Sequence, residues 1–210
     1  IYTASAREGE MKMQHWIKPI ELLGEHVVLK PLAASHCEPL QEAVVDGELW
    51  NLWYTKIPTP DQMAAEIERR LALQASGSML PFYIEARVTG QALGMTTLMN
   101  IESAHRRVEI GSTWYRQSAQ RSHVNTECKK LLLSHAFEDL SCIAVEFRTS
   151  SFNTRSRAAI ERLGAKLDGV LRSHQIVADD ILRDTYVYSI LKNEWPAVQH
   201  HLQWLLEKPR

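Results

Sequence analysis

A chain of 210 residues, 45% hydrophobic and 23% charged, is sized and composed for one domain able to bury roughly 70% of its unfolded surface in a single core. Its formal net charge of -1 argues against a non-specific nucleic-acid binder, and no apolar run nears the ~18 residues of a membrane span. Cys37, Cys128 and Cys142 are widely spaced and form no CxxC or Cys/His pattern, which argues against a disulfide framework or structural zinc; a cytoplasmic protein is expected.

Residues 1–16 open polar and aperiodic, and are expected to be an extension or arm ahead of a single domain at 17–210. His26 to Leu32 reads as a strand closed by Pro31, and Ser35 as the cap of a helix carrying Cys37, Leu40, Ala43 and Val44. The following segment gathers Trp50, Trp53 and Tyr54, and Pro58 and Pro60 keep it from being one long helix. From Asp61 to about Ser76 the stripe Met63, Ile67, Leu71 and Gln74 predicts a helix ending near Gly77.

Phe82 to Val88 and Gln91 to Ile101 predict two strands turning at Thr89-Gly90. Arg107 to Tyr115 predicts a third, with Val108, Ile110, Ser112 and Trp114 on one face and Glu109, Gly111, Thr113 and Tyr115 on the other. A helix from Asn125 to Leu140 and a strand from Ile143 to Thr149 follow. Asn153 caps a further helix stopped by Gly164; strands at Lys166 to Ser173 and Thr185 to Leu191 lead to a terminal helix after Glu194-Trp195-Pro196. A mixed α/β sheet with helices on both faces accommodates this order.

The passage from Tyr115 into the helix after it concentrates Arg116, Gln120 and Arg121 beside the free N–H groups of a helix start, the ingredients of a phosphate site. Three motifs, VEIGSTWY leading to QRSHVNTE, NTRSRAAIERLGA at Asn153 to Ala165, and RDTYVYSILKNEWP at Arg183 to Pro196, together resemble the GNAT superfamily of acyl-CoA-dependent N-acyltransferases, and most the RimJ/RimL-type branch. The resemblance spans roughly residues 22–198. It implies a GNAT fold: a mostly antiparallel mixed sheet of about seven strands, the two central ones splayed around acetyl-CoA as co-substrate.

Carried onto this chain, the resemblance makes Val108 to Tyr115 and Ile143 to Thr149 the splayed strands, and Gln120, Arg121, Ser122, His123, Val124 and Asn125 the pyrophosphate loop. Trp114, Tyr115, Arg116 and Thr126 flank that loop and belong to the expected cofactor set. The family has glycine, then glycine or alanine, where this loop has His123 and Asn125. Glycine tolerates positive φ and close phosphate approach, so His123 is expected either to donate to the diphosphate or to obstruct it.

Acyl transfer needs a neutral amine and a proton for the departing thiolate. Glu109 is the candidate base, against the plainer reading of an ion pair with Arg107 or Arg148. The helix tyrosine many family members use for the thiolate is replaced by Ile160; Ser156 is the substitute, with Tyr188 in reserve, and Asn153 is expected to bond pantetheine amides. Trp50, Trp53 and Tyr54 are expected to line the acceptor pocket, and the terminal helix, with Trp195 and Trp204, to pack or to form a homodimer. No metal is expected. The acceptor implied is an N-terminal α-amine of a protein or peptide, or a small-molecule amine, with no nucleic-acid or membrane partner; the alternative is a degenerate CoA-binding regulatory protein.

Overall fold

Alternating side chains and short turns make most neighbours in this chain antiparallel, and one helical crossover makes the exception. The computed structural model describes residues 16–208. Strands β1 (Leu22–Leu23), β2 (Val27–Pro31), β3 (Met79–Ala86), β4 (Ala92–Glu102) and β5 (Arg107–Tyr115) pair antiparallel in succession. Between β2 and β3 lie α1 (Cys37–Val45) and α2 (Met63–Ala75). The chain then crosses through α3 (Val124–Ser134) to β6 (Ala144–Ser150), which lies parallel to β5. After α4 (Thr154–Arg162), β7 (Lys166–Ile176) and β8 (Leu182–Leu191) complete the sheet in the order β1-β2-β3-β4-β5-β6-β8-β7, and α5 (Trp195–Glu207) closes the described chain.

Eight strands stand where about seven were expected, the extra one being Leu22–Leu23, too short to show a period in sequence. The helix expected to start at Ser35 starts at Cys37, after a 3-10 turn at Ala34–His36 in which His36 Nδ1 accepts the Ala33 N–H at 3.1 Å. The arm expectation falls largely on residues outside the described range; Trp16, its last residue, donates from Nε1 to the Leu140 carbonyl at 3.3 Å.

Apolar side chains fill two layers. Leu40, Val44, Met63 and Ile67 of α1 and α2 pack on Tyr83, Met95 and Trp114 at one face. Cys128 and Leu132 of α3, Ile160 of α4 and Leu202 of α5 pack on Val108, Ile110, Val145, Phe147 and Tyr188 at the other. In α5, Trp195 is buried, its ring stacked on Phe137 at 5.3 Å, while Trp204 is exposed. Among the described residues no helix is long and apolar enough to cross a membrane.

The strict alternation expected along β5 fails at Ser112. Met95 pairs with Trp114 but Thr97 pairs with Gly111, so β5 holds one residue more than β4 here, and Ser112 stands at φ 47°. This β-bulge reverses the parity of all that follows. Tyr115, not Trp114, therefore joins Val108 and Ile110 under α3, and Trp114 goes to the α1/α2 face. Gly94, at φ 146°, lets β4 run close beside the bulged strand, because a Cβ there would collide with the Trp114 carbonyl oxygen.

Candidate active site

The sheet opens at its parallel junction. β5 and β6 pair at Arg107/Ala144, Val108/Val145 and Glu109/Glu146, and no further pair joins them although both strands continue. Beyond Glu109, the edges of β5 and β6 that face each other bound a gap. Glu109 stands at the fork, only 5% exposed. Its Oε2 accepts from Asn100 Nδ2 at 2.6 Å and lies 3.5 Å from Arg148 Nε. Arg107 pairs with Glu146 instead, and Arg148 also binds Glu146, at 3.0 Å. Burial pushes the Glu109 carboxyl above the ordinary glutamate range, against the opposing pull of the Asn100 bond and the Arg148 charge. Gly111 leaves room for it: a Cβ at that position would lie 2.8 Å from Glu109 Oε1 and from Met99 Sδ.

Next to the fork, on the sheet face not covered by α3, lies a cavity of about 420 Å³ lined by Arg107, Glu146, Arg148, Asp168, Ser189 and neighbouring apolar side chains. Arg148 belongs both to this cavity and to the Glu109 cluster.

Above the gap is the loop from β5 into α3. Its first part is anchored, since Asp46 accepts from Arg116 Nε at 2.9 Å and from the Ser118 N–H at 3.2 Å, and the Asp46 carbonyl accepts the Gln117 N–H at 2.9 Å. Bonds from Ser118 and Arg116 hold the Asp46 carboxyl below the usual carboxylate range. Arg116 is thus engaged away from the gap. Gln120 donates its side-chain amide to the Tyr115 carbonyl at 3.0 Å, and Ser122 Oγ donates to Ala119 O and accepts the Val124 N–H at 3.2 Å. Trp114, Tyr115 and Val124 are buried in the core, and Thr126 Oγ1 accepts from Arg162 Nη2 at 3.0 Å. The N–H groups of Arg121, Ser122, Asn125 and Thr126 have no acceptor among the described residues. These bare donors at the start of an eleven-residue helix fit a diphosphate.

The residue with positive φ is Arg121, at 57°; His123 sits at φ -68° and ψ -20°. His123 therefore needs none of glycine's freedom. Its ring lies 4.0 Å from that of His26, the residue before β2.

Asn153 caps α4, its Oδ1 accepting the Ser156 N–H at 3.0 Å, while its Nδ2 has no hydrogen-bond partner among the described residues. The Ser156 hydroxyl has no hydrogen-bond partner among the described residues, whereas the Tyr188 hydroxyl donates to Glu161 Oε1 at 2.8 Å and accepts from Arg157 Nε at 3.3 Å. Tyr188 is a core residue, pushed up by burial. Of the three acceptor-pocket aromatics, Trp50 packs partly buried against the α1/α2 core. Trp53 and Tyr54 meet edge to face at 5.8 Å, and Trp53 also reaches Phe152, at 5.1 Å. Phe152, which precedes the cap of α4, was missed in sequence, and only tertiary folding brings it to Trp53.

Two more residues went unread. Arg70 lies in the buried stripe of α2 with Met63 and Ile67, and Lys129 in that of α3 with Cys128 and Leu132. A charge inside an apolar stripe was the available signal.

Comparison with known proteins assigns the class. A family model described as an acetyltransferase (GNAT) domain matches residues 26–166, and the chain belongs to that family. It is accordingly an acyl-CoA-dependent acetyltransferase with acetyl-CoA as co-substrate, for which the gap and the bare donors above it fit. Among its relatives is YdaF of Bacillus subtilis (strain 168), named provisionally as a ribosomal N-acetyltransferase, 27% identical over 82% of this chain and 95% of that protein. A crystal structure from T. thermophilus, provisionally titled an acetyltransferase, is 33% identical, with a TM-score of 0.79 over 91% of this chain and 99% of that one. RimJ of Mycobacterium smegmatis, solved in complex with CoA-disulfide, shares the fold at 22% identity, with a TM-score of 0.73 over 90% and 93% of the two chains. These likenesses agree with the RimJ/RimL-type branch that the motifs resemble.

Proposed function

We propose that the protein acetylates the α-amine of a protein or peptide N-terminus, with Glu109 as the base. The observation that carries this reading is the position of Glu109: a buried carboxylate with raised proton affinity, at the fork where β5 and β6 part and beside an open cavity. Acetyl-CoA supplies an activated thioester in the gap. In this reading the N–H groups of Arg121, Ser122, Asn125 and Thr126 hold its diphosphate, with the Arg121 side chain beside them, and Asn153 Nδ2 and the bare strand edges hold the pantetheine amides.

Glu109 takes a proton as the amine nitrogen bonds to the acyl carbon and the C–S bond breaks. Ser156, whose hydroxyl is uncommitted, donates a hydrogen bond to the departing sulfur and relays a solvent proton to it. Tyr188 is the less suitable donor, because Glu161 and Arg157 already engage its hydroxyl. Trp53, Tyr54 and Phe152 border the acceptor, and the peptide reading is supported by the ribosomal N-acetyltransferase name of the YdaF relative.

Thiol release from acetyl-CoA, measured against N-terminal peptides, free amino acids and aminoglycosides, tests the reading. Turnover confined to peptides with a free α-amine is expected. Turnover of aminoglycosides alone would replace it with a small-molecule acceptor, for which the exposed aromatics offer a flat surface. Calorimetry with acetyl-CoA on wild type and His123→Gly tests the loop: His123 turned toward His26 predicts binding by both.

A further inference from the structure

Two buried cations outside the reacting groups converge on the bulge of β5. Arg70, 3% exposed, reaches from α2 and donates from Nη1 and Nη2 to the Ser112 carbonyl at 3.3 and 3.2 Å, and from Nη1 to Thr97 Oγ1 at 2.7 Å. Glu66 holds its Nε at 2.7 Å. Lys129, 6% exposed, reaches from α3 on the opposite face and donates to Thr113 Oγ1 at 2.8 Å and Thr96 Oγ1 at 3.4 Å. Among the described residues no carboxylate forms an ion pair with Lys129. Thr96 and Thr113 already bond each other at 2.7 Å, so packing alone gives no reason for an ammonium there.

The two contacts fall on neighbouring residues of the bulge. Arg70 holds the Ser112 carbonyl directly from one face, and Lys129 holds the Thr113 side chain from the other, so the peptide plane is fixed at its carbonyl and the chain is anchored at the next residue. Ser112 itself, at φ 47°, is in a conformation that strains a serine and that surrounding contacts must support. A bulge bends and twists the strand that carries it. This one lies just past Glu109, where β5 has left β6.

We propose that Arg70 and Lys129 are positioning residues, a two-sided clamp that keeps Ser112 left-handed and so sets the divergence of β5 from β6 that admits acetyl-CoA. The clamp rests on the reading of the gap as the acetyl-CoA cleft.

Its test exploits glycine, which adopts φ 47° without help. Acetyl-CoA affinity by calorimetry, and amide hydrogen exchange at residues 112–115 in the apo-protein, are measured for wild type, Lys129→Met, Arg70→Met, Arg70→Lys and the double variant Lys129→Met/Ser112→Gly. Loss of either cation weakens acetyl-CoA binding about ten-fold and speeds exchange. Arg70→Lys recovers part of the loss, and Ser112→Gly restores the affinity lost in Lys129→Met. Wild-type affinity in Lys129→Met overturns the clamp, as does a folded double variant that stays weak. Should Lys129→Met not fold, recovery of folding and affinity in the double variant supports it, and failure of both overturns it. Absence of binding to wild type would instead strike at the cleft reading, while exchange in the apo-protein still reports on the clamp.

Discussion

Glu109 keeps its proton at a pH where an exposed glutamate has released it, because burial disfavours the carboxylate more than Asn100 and Arg148 favour it. As a base it must be ionised, so kcat/KM with a peptide acceptor rises with pH through this raised value. Glu109→Gln is expected to lower kcat at least 100-fold and to abolish that acidic limb; a profile of unchanged shape in the variant would leave Glu109 as an ion-pair residue. Lys129 shows the opposite displacement, lowered to about 8 chiefly by burial. Between that value and the ordinary lysine value of 10.5 the unfolded chain binds more protons than the native one, so Lys129 makes stability rise with pH across this window. The urea-unfolding free energy of wild type minus that of Lys129→Met should climb by up to about 1.4 kcal/mol per pH unit there, and a flat difference would refute the lowered proton affinity. Glu109 could be found in sequence because its strand was recognised as central. Arg70 and Lys129 were overlooked because charges on helices usually reach solvent, and the stripes were read through their apolar members alone.

Elements were legible where periodicity sets them. The spans expected for β5 and for the start of α4 hold in the structure, and the helix expected to Leu140 continues past Ser134 only as a π turn, His135–Asp139. The bulge was not legible: a serine carries no sign that its φ will be positive, and the register that forces it belongs to β4 as much as to β5. For the same reason the strain expected at His123 fell on Arg121, since the loop's path is set by its anchorage to Asp46 and not by the family's glycine spacing. α3 has an anchor of its own. The Glu127 carboxylate in its first turn accepts the N–H groups of Glu25 and His26, tying the helix start to the β1–β2 turn. Glu127→Ala leaves both donors without an acceptor and should cost about 2–3 kcal/mol in chemical denaturation, with the m-value unchanged; a loss below about 0.5 kcal/mol would show water replacing the carboxylate fully.

The molecule as a whole is a sheet in two parts, β1 to β5 and β6 to β8, joined by three residue pairs and bridged by α3. A ligand seated between the parts binds the native state alone. Acetyl-CoA at about 100 times its Kd should therefore add about 2.7 kcal/mol of stability, a rise of roughly 5–11 °C in Tm at this chain length. Differential scanning fluorimetry would show it, and no shift at these concentrations would mean that acetyl-CoA does not bind the native state in preference to the unfolded one. Those three pairs also dictate an order of assembly. The β3-β4-β5 neighbours close on short turns, whereas the parallel pair must wait until the crossover between Tyr115 and Ala144 has been laid down, as β2 and β3 must wait for the two-helix insert between them, and the entropy of each long closure is lost before any pairing offsets it. On a growing chain the first five strands can collapse with β5 as a bare edge, long before its partner exists. The gap has no second wall until β6 to β8 have emerged, so acetyl-CoA can reward a finished fold but cannot nucleate one.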